Sequence, residues 1–265
     1  MRGPRTSVAT GWAIAFMAVV LAVLVPGRSV AQETSLPDRV ESISKSVVLV
    51  WFQESASGYA SYGSGFALDS LGHILTCAHV VQGKENVTVA LLSGGKEVNY
   101  PATVIASDPD IDAAIVKVEG ANLRGLPVSD SPAVRAGEQV GFVGYPLGYT
   151  VDAGFGPSLT VGYVAAVRYW RVHPTAPKLP MIQVDGTVAI GTSGSPLFRL
   201  DTGVVVGMMK SHIRTPGPVL TGEDVLGEIE SVPEELASSA GIGLALPFEQ
   251  LARFAEENGV QLVRE

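Results

Sequence analysis

Short valine-rich apolar runs recur along this chain, the second starting at Asn86 and the third following Gly203: 46–52 (SVVLVWF), 86–92 (NVTVALL) and 204–209 (VVVGMM). β-Branched side chains suit a pleated surface better than a helix, and runs this short rarely make a globular helix. The pattern predicts strand after strand. The 30 glycines and 17 prolines supply the turns that such a fold needs. One segment alone reads as a clear helix, near the C-terminus. There Pro247 suits the first turn, Phe248, Leu251 and Ala255 share a face, and Gly259 can close it. At 265 residues the chain can make one domain or two small ones around a large core. It shows no repeat of solenoid period and no low-complexity tract. The stretch 126–136 (LPVSDSPAVRA) reads as a connector.

The N-terminus reads as a targeting segment. Arg2 and Arg5 precede an apolar stretch over 11–25, Pro26-Gly27 breaks it, and Ser29-Val30-Ala31 offers small residues for cleavage. A cleaved signal peptide over 1–31 is the expectation; an uncleaved anchor is the lesser one, because the stretch is near the lower limit for a span. With no second span, the mature body is expected to be exported, periplasmic or secreted, and not membrane-embedded. No cysteine stands at the cleavage site, so no lipid attachment is expected. The formal net charge is −8, and the leader would remove only arginines. An acidic chain without a basic cluster argues against nucleic acid and anionic membranes as partners. Cys77 is the single cysteine, which excludes an intrachain disulfide and a CxxC or Cys/His metal site. It is expected to be a buried small hydrophobe.

Chemistry concentrates at Gly191-Thr192-Ser193-Gly194-Ser195-Pro196-Leu197. A serine between glycines can sit on a tight turn beside backbone N–H groups. A hydroxyl is a poor nucleophile without a base to take its proton and donors aimed at the oxyanion it creates. Upstream, 72–81 (GHILTCAHVV) brings His79 to a strand end. The acidic turn in 107–118 (SDPDIDAAIVKV) puts Asp112 at the mouth of an apolar strand. Base, carboxylate and serine thus stand in the order His, Asp, Ser, one of the orders in which such a triad occurs. On chemistry alone Asp108 and Asp110 rival Asp112. His73, His173 and His212 lack comparable context and read as surface or packing residues.

Together these blocks resemble the chymotrypsin-like serine peptidases, most closely the HtrA/Deg branch. Segment 40–48 (VESISKSVV) is similar to that branch's opening strand, 63–81 to its histidine block and 108–118 to its aspartate block. Segments 139–148 and 159–165 are similar to the strands opening its second barrel. Segment 182–194 resembles its serine block and 241–247 its last strand. The likeness spans roughly 37–258.

The resemblance implies an all-β fold of two six-stranded antiparallel barrels with a C-terminal helix. The first barrel would span about 37–125, the second about 136–258, and 259–265 would be a tail. It implies Ser193 as nucleophile, His79 as general base and Asp112 as its orienting partner, chosen because the family's aspartate directly precedes the Ala-Ala-Ile-Val strand. The N–H groups of Gly191 and Ser193 would form the oxyanion hole. Thr187, Val188, Met208, Met209 and Ile242 fall where that fold walls its primary pocket. None is charged, no aspartate stands six residues before Ser193, and Met209 stands where glutamyl peptidases carry histidine. A small or medium apolar P1 side chain is therefore expected, with protein or peptide substrates, no cofactor and no metal; a homo-oligomer stays open.

Three features depart from the branch. Ser195 replaces a glycine, no PDZ domain is expected after the helix, and 211–240 is a long, acidic, proline-containing insertion between pocket strands. The insertion is expected to lie over the substrate cleft. Two rivals remain: an esterase with the same triad, and a non-catalytic peptide-binding scaffold. The α/β-hydrolase elbow wants Gly-x-Ser-x-Gly in another residue order, and the intact His79, Asp112 and Ser193 weigh against a scaffold.

Overall fold

The computed structural model describes residues 3, 34–53, 60–81, 83–129, 134–146, 148, 154–171, 175–210 and 242–264. The expected leader apart from Gly3, the 211–240 insertion, Gly241, His173, His212 and part of the connector (130–133) lie outside them.

Six strands build the first barrel: β1 (Val47–Gln53), β2 (Ala60–Ala67), β3 (His73–Thr76), β4 (Asn86–Ser93), β5 (Lys96–Asp108) and β6 (Ala113–Val118). Six more build the second: β7 (Gln139–Gly144), β8 (Ser158–Arg171), β9 (Lys178–Asp185), β10 (Pro196–Arg199), β11 (Val205–Lys210) and β12 (Ile242–Pro247). Both are closed and antiparallel, as expected. Around the first the order is β1-β2-β3-β6-β5-β4, and around the second β7-β8-β9-β12-β11-β10, so one topology is used twice. The sequence carries no visible repeat because barrel closure fixes only inward–outward alternation, not side-chain identity.

The opening segment departs from expectation. Residues 36–44 are not strand but helix α1 (Leu36–Ser44), and β1 begins only at Val47. The local chemistry explains this: Ser35 caps the helix by accepting the Asp38 N–H, Pro37 sits in the first turn, and Asp38 lies near the positive end of the helix dipole. A second helical turn, α2 (Ala78–Val81), follows β3 and carries His79, which is therefore not at the strand end itself.

The terminal helix α3 (Phe248–Glu257) buries Phe248, Leu251, Phe254 and Ala255. Pro247 is its N-cap rather than part of its first turn. At the far end Gly259 adopts φ 79°; its N–H reaches the Glu256 carbonyl, while the Val260 N–H reaches Ala255. This is a Schellman closure, which requires the left-handed region that glycine enters freely. Phe248 packs against Phe66 of β2 with ring centroids 6.5 Å apart, tying the helix that follows the second barrel to the first. Beyond α3, the Val128 N–H of the connector donates to the Val263 carbonyl.

One continuous core runs from the first barrel across the seam through Val143, Tyr145, Met208 and Leu246 to α3. The interior of the second barrel forms its own cluster, including Phe142, Ile182, Val184, Leu197 and Met209.

Candidate active site

Asp112 occupies the last position before β6 and takes φ 54°, the one described non-glycine residue in the left-handed region. That conformation costs on the order of 1 kcal/mol and is tolerated best by residues such as Asp. It aims a carboxylate that is only 3 % exposed back under α2. The His79 backbone N–H donates to Asp112 Oδ1 at 2.9 Å, and His79 Nδ1 lies 3.0 and 2.9 Å from Oδ1 and Oδ2. Held twice, the histidine presents its other nitrogen to Ser193, with Nε2 3.0 Å from Oγ. The His79 side chain is 45 % exposed, whereas Ser193 is 3 % exposed. The imidazole thus bridges a buried carboxylate and a buried hydroxyl while keeping one face toward solvent. Asp108 and Asp110 take no part in this contact; the Asp110 N–H donates to Asp108 Oδ1 and closes the turn.

The serine turn is fixed from both barrels. Within the second, the Thr192 N–H and Oγ1 donate to the Ala189 carbonyl, the Gly194 N–H to Met209, and the Ser195 N–H to Thr192. From the first barrel comes Ser64 of β2. Its N–H donates to the Ser193 carbonyl at 2.7 Å and its hydroxyl to the Gly191 carbonyl at 2.7 Å. The same hydroxyl accepts the Tyr145 N–H at 2.9 Å, and the Ser64 carbonyl accepts from Thr76 Oγ1 at 2.7 Å. Gly194, at φ 87°, lies so close that a Cβ would fall onto the Ser64 carbonyl oxygen. Ser195 fits because the residue facing it is Gly144, where a Cβ would overlap the Ser195 hydroxyl. Among the described residues that buried hydroxyl has no hydrogen-bond partner.

Two residues that sequence reasoning passed over as site members, Ser64 and Lys210, therefore touch the constellation. Lys210 ends β11, and its ammonium donates to Asp112 Oδ2. The Lys210 side chain is 12 % exposed and that of Asp112 4 %. Burial pushes the Asp112 carboxyl up, but the hydrogen bond and charge of His79, then those of Lys210, outweigh it. The group ends below its ordinary value. Cys77 is fully buried next to them. Burial raises its thiol well above the ordinary range, with the charge of Asp112 adding to the effect. The donor atoms of Cys77, His79 and Asp112 lie within 4.8 Å of one another. They do not fit a metal ion: an ammonium already holds Asp112, and the thiol, facing the Met209 carbonyl at 3.5 Å, is poorly placed to lose its proton.

Of the five residues expected to wall the pocket, Val188 and Met209 meet at Gly243. A Cβ on that glycine would lie 2.8 Å from Val188 Cγ2 and 2.9 Å from Met209 Cε. Thr187 is exposed and Ile242 is 48 % exposed at the start of β12. Met208 is a correction. Neighbouring strand positions face opposite ways, so Met208 joins the core at the seam, apart from Met209. Gly243 was not singled out from sequence. His73 pairs with Asp69, Nδ1 to Oδ2 at 2.5 Å, away from the serine turn.

A family model described as the trypsin-like peptidase domain matches residues 63–208. A protein of Halomonas elongata named probable periplasmic serine endoprotease DegP-like is 36% identical over 148 residues, covering 56% of this chain and 29% of the relative. A namesake from Pseudomonas putida (strain W619) is 38% identical over 148 residues, with 56% and 28% covered. The chain spans under a third of the length of these curated relatives. Among solved structures, the HtrA-type protease AlgW with tripeptide superposes with TM-score 0.64 at 23% identity, over 84% of this chain and 63% of that one. The Rv3671c protease from M. tuberculosis, active form, gives TM-score 0.64 at 24% identity, over 84% and 85%. At these identities the structural likeness speaks to the fold.

Proposed function

The chain belongs to the trypsin-like peptidase domain family, and from that footing we propose that it is an exported serine endopeptidase acting through His79, Asp112 and Ser193. The observation that carries this reading is the relay of contacts from Asp112 through His79 to Ser193 Oγ, the last at 3.0 Å. Asp112 accepts from Nδ1–H, which leaves Nε2 as an acceptor. His79 takes the Ser193 proton as Oγ attacks the scissile carbonyl, then returns it to the departing amine. Water, deprotonated by the same nitrogen, attacks the acyl-enzyme and frees Ser193. The N–H groups of Gly191 and Ser193 receive the oxyanion, each donor contributing a few kcal/mol in the transition state.

The peptidase region is assigned to 32–258. The uncharged set Thr187, Val188, Met209 and Ile242, narrowed where Val188 and Met209 meet at Gly243, favours small or medium apolar P1 side chains such as Val, Ala or Leu. Export rests on the basic-then-apolar pattern of 1–31 and agrees with the periplasmic naming of the relatives. The test is cleavage of a peptide library by the protein lacking 1–31. Cuts after small or medium apolar residues are expected. Hydrolysis of activated esters with no peptide cut would instead mark an esterase.

A further inference from the structure

Lys210 closes a strand that is otherwise apolar or glycine, Val205–Lys210, and its side chain is 12 % exposed. A lysine that deeply placed needs a partner. Its partner is the one carboxylate that also holds His79, and the pair spans the seam: Asp112 directly precedes β6 of the first barrel, Lys210 ends β11 of the second. Asp112 Oδ1 takes the His79 backbone N–H, both oxygens face Nδ1, and the remaining capacity of Oδ2 goes to the ammonium.

We propose that Lys210 is a positioning residue of the triad, clamping Asp112 in the orientation His79 requires and balancing the charge that His79 faces. The proposal rests on the serine-peptidase reading of the same site. The titratable groups facing the cluster from the described elements are His79 on α2, Cys77 just before it, Asp112 before β6 and Lys210 on β11. Asp108 and Asp110 close their own turn. The Cys77 thiol, raised by burial, stays neutral and adds no charge. The local balance is therefore one carboxylate against one ammonium, with the imidazole between solvent and that pair.

The consequence concerns protons. An imidazole beside an uncompensated carboxylate holds its proton to higher pH, because the negative charge favours the imidazolium. The Lys210 ammonium sits on the same carboxylate and offsets that charge. It also favours the ionised form of Asp112, in line with the depressed carboxyl. Removing the ammonium is therefore expected to favour the imidazolium of His79.

The test compares Lys210→Met, Lys210→Gln and Lys210→Arg in two readouts. The first is the rate of fluorophosphonate labelling from pH 4 to 9. The second is the pH dependence of the His79 ring resonances in 13C-histidine-labelled protein, assigned with His79→Gln. Loss of the charge in Met or Gln is expected to move the acid limb and the His79 transition upward by about one pH unit. Arg is expected to leave both near the parent. Gln retains a hydrogen-bond donor, so it separates charge from contact and serves if Met does not fold. A uniform fall in rate with unmoved transitions in Met and Gln, or an equal displacement in Arg, overturns the proposal. If the parent is not labelled at any pH, the serine-nucleophile reading fails, while the ring resonances still decide the role of Lys210.

Discussion

The hydroxyl of Ser64, on the first barrel, donates to the carbonyl of Gly191, on the second, at 2.7 Å. Through that bond, and through its N–H to the Ser193 carbonyl, β2 fixes the turn that presents the candidate nucleophile. The two barrels are thus joined at the point where the chemistry is assigned, so their docking and the geometry of the serine turn are one problem.

Ser64→Ala is expected to leave the Gly191 carbonyl and the Tyr145 N–H without their partner, destabilising the fold by about 1–3 kcal/mol. Loosening of the turn is expected to lower kcat on the order of 10²-fold. Thermal denaturation with steady-state kinetics on one apolar peptide checks both. Unchanged kcat would show that the turn is held without Ser64.

Ser195→Ala is expected to be neutral in activity and neutral to stabilising, by up to about 1 kcal/mol. The substitution removes a buried hydroxyl that has no partner among the described residues. Gly144→Ala is expected to act the other way, since its Cβ would overlap that hydroxyl and approach Ser64 Oγ at 2.7 Å. Urea unfolding of both variants measures the contrast.

Asp112 gives the acid side of the stability profile. Its folded-state carboxyl lies below the ordinary value. Its contribution is therefore fully present above the unfolded value of about 3.9 and is lost as pH falls through the lower folded one. Asp112→Asn should thus be less stable than the parent at pH 7, with the difference shrinking as pH drops below about 4. Activity at pH 7 should fall on the order of 10⁴-fold through loss of the histidine tautomer. Tm measured from pH 3 to 8 tests the stability claim; a parallel offset at every pH would contradict it.

The fold class was legible in the sequence because closed antiparallel barrels impose short apolar strands and turn residues, and runs such as 86–92 and 204–209 show both. The opening segment is the exception: it resembles a strand, yet Ser35-Leu36-Pro37-Asp38 is a helix start readable from capping chemistry alone. His79, Asp112 and Ser193 could be named because each sits in a local block with its own signal. Ser64 and Lys210 have no such signal. One contacts a residue 127 positions away and the other a residue 98 positions away, so only closure of the seam reveals their partners. The fit of Ser195 against Gly144 was hidden for the same reason. Met208 packs in the seam core, apart from Met209, because adjacent strand residues point to opposite sides.

The most direct measurement of the central claim is mass-spectrometric mapping of a fluorophosphonate adduct on the purified protein, alongside peptide cleavage by the same preparations. The account predicts a single adduct on Ser193 in the parent and none in Ser193→Ala. Cleavage should fall on the order of 10⁶-fold in that variant and by a similar factor in His79→Ala. Retained cleavage by well-folded Ser193→Ala, or an adduct at another serine, would contradict it.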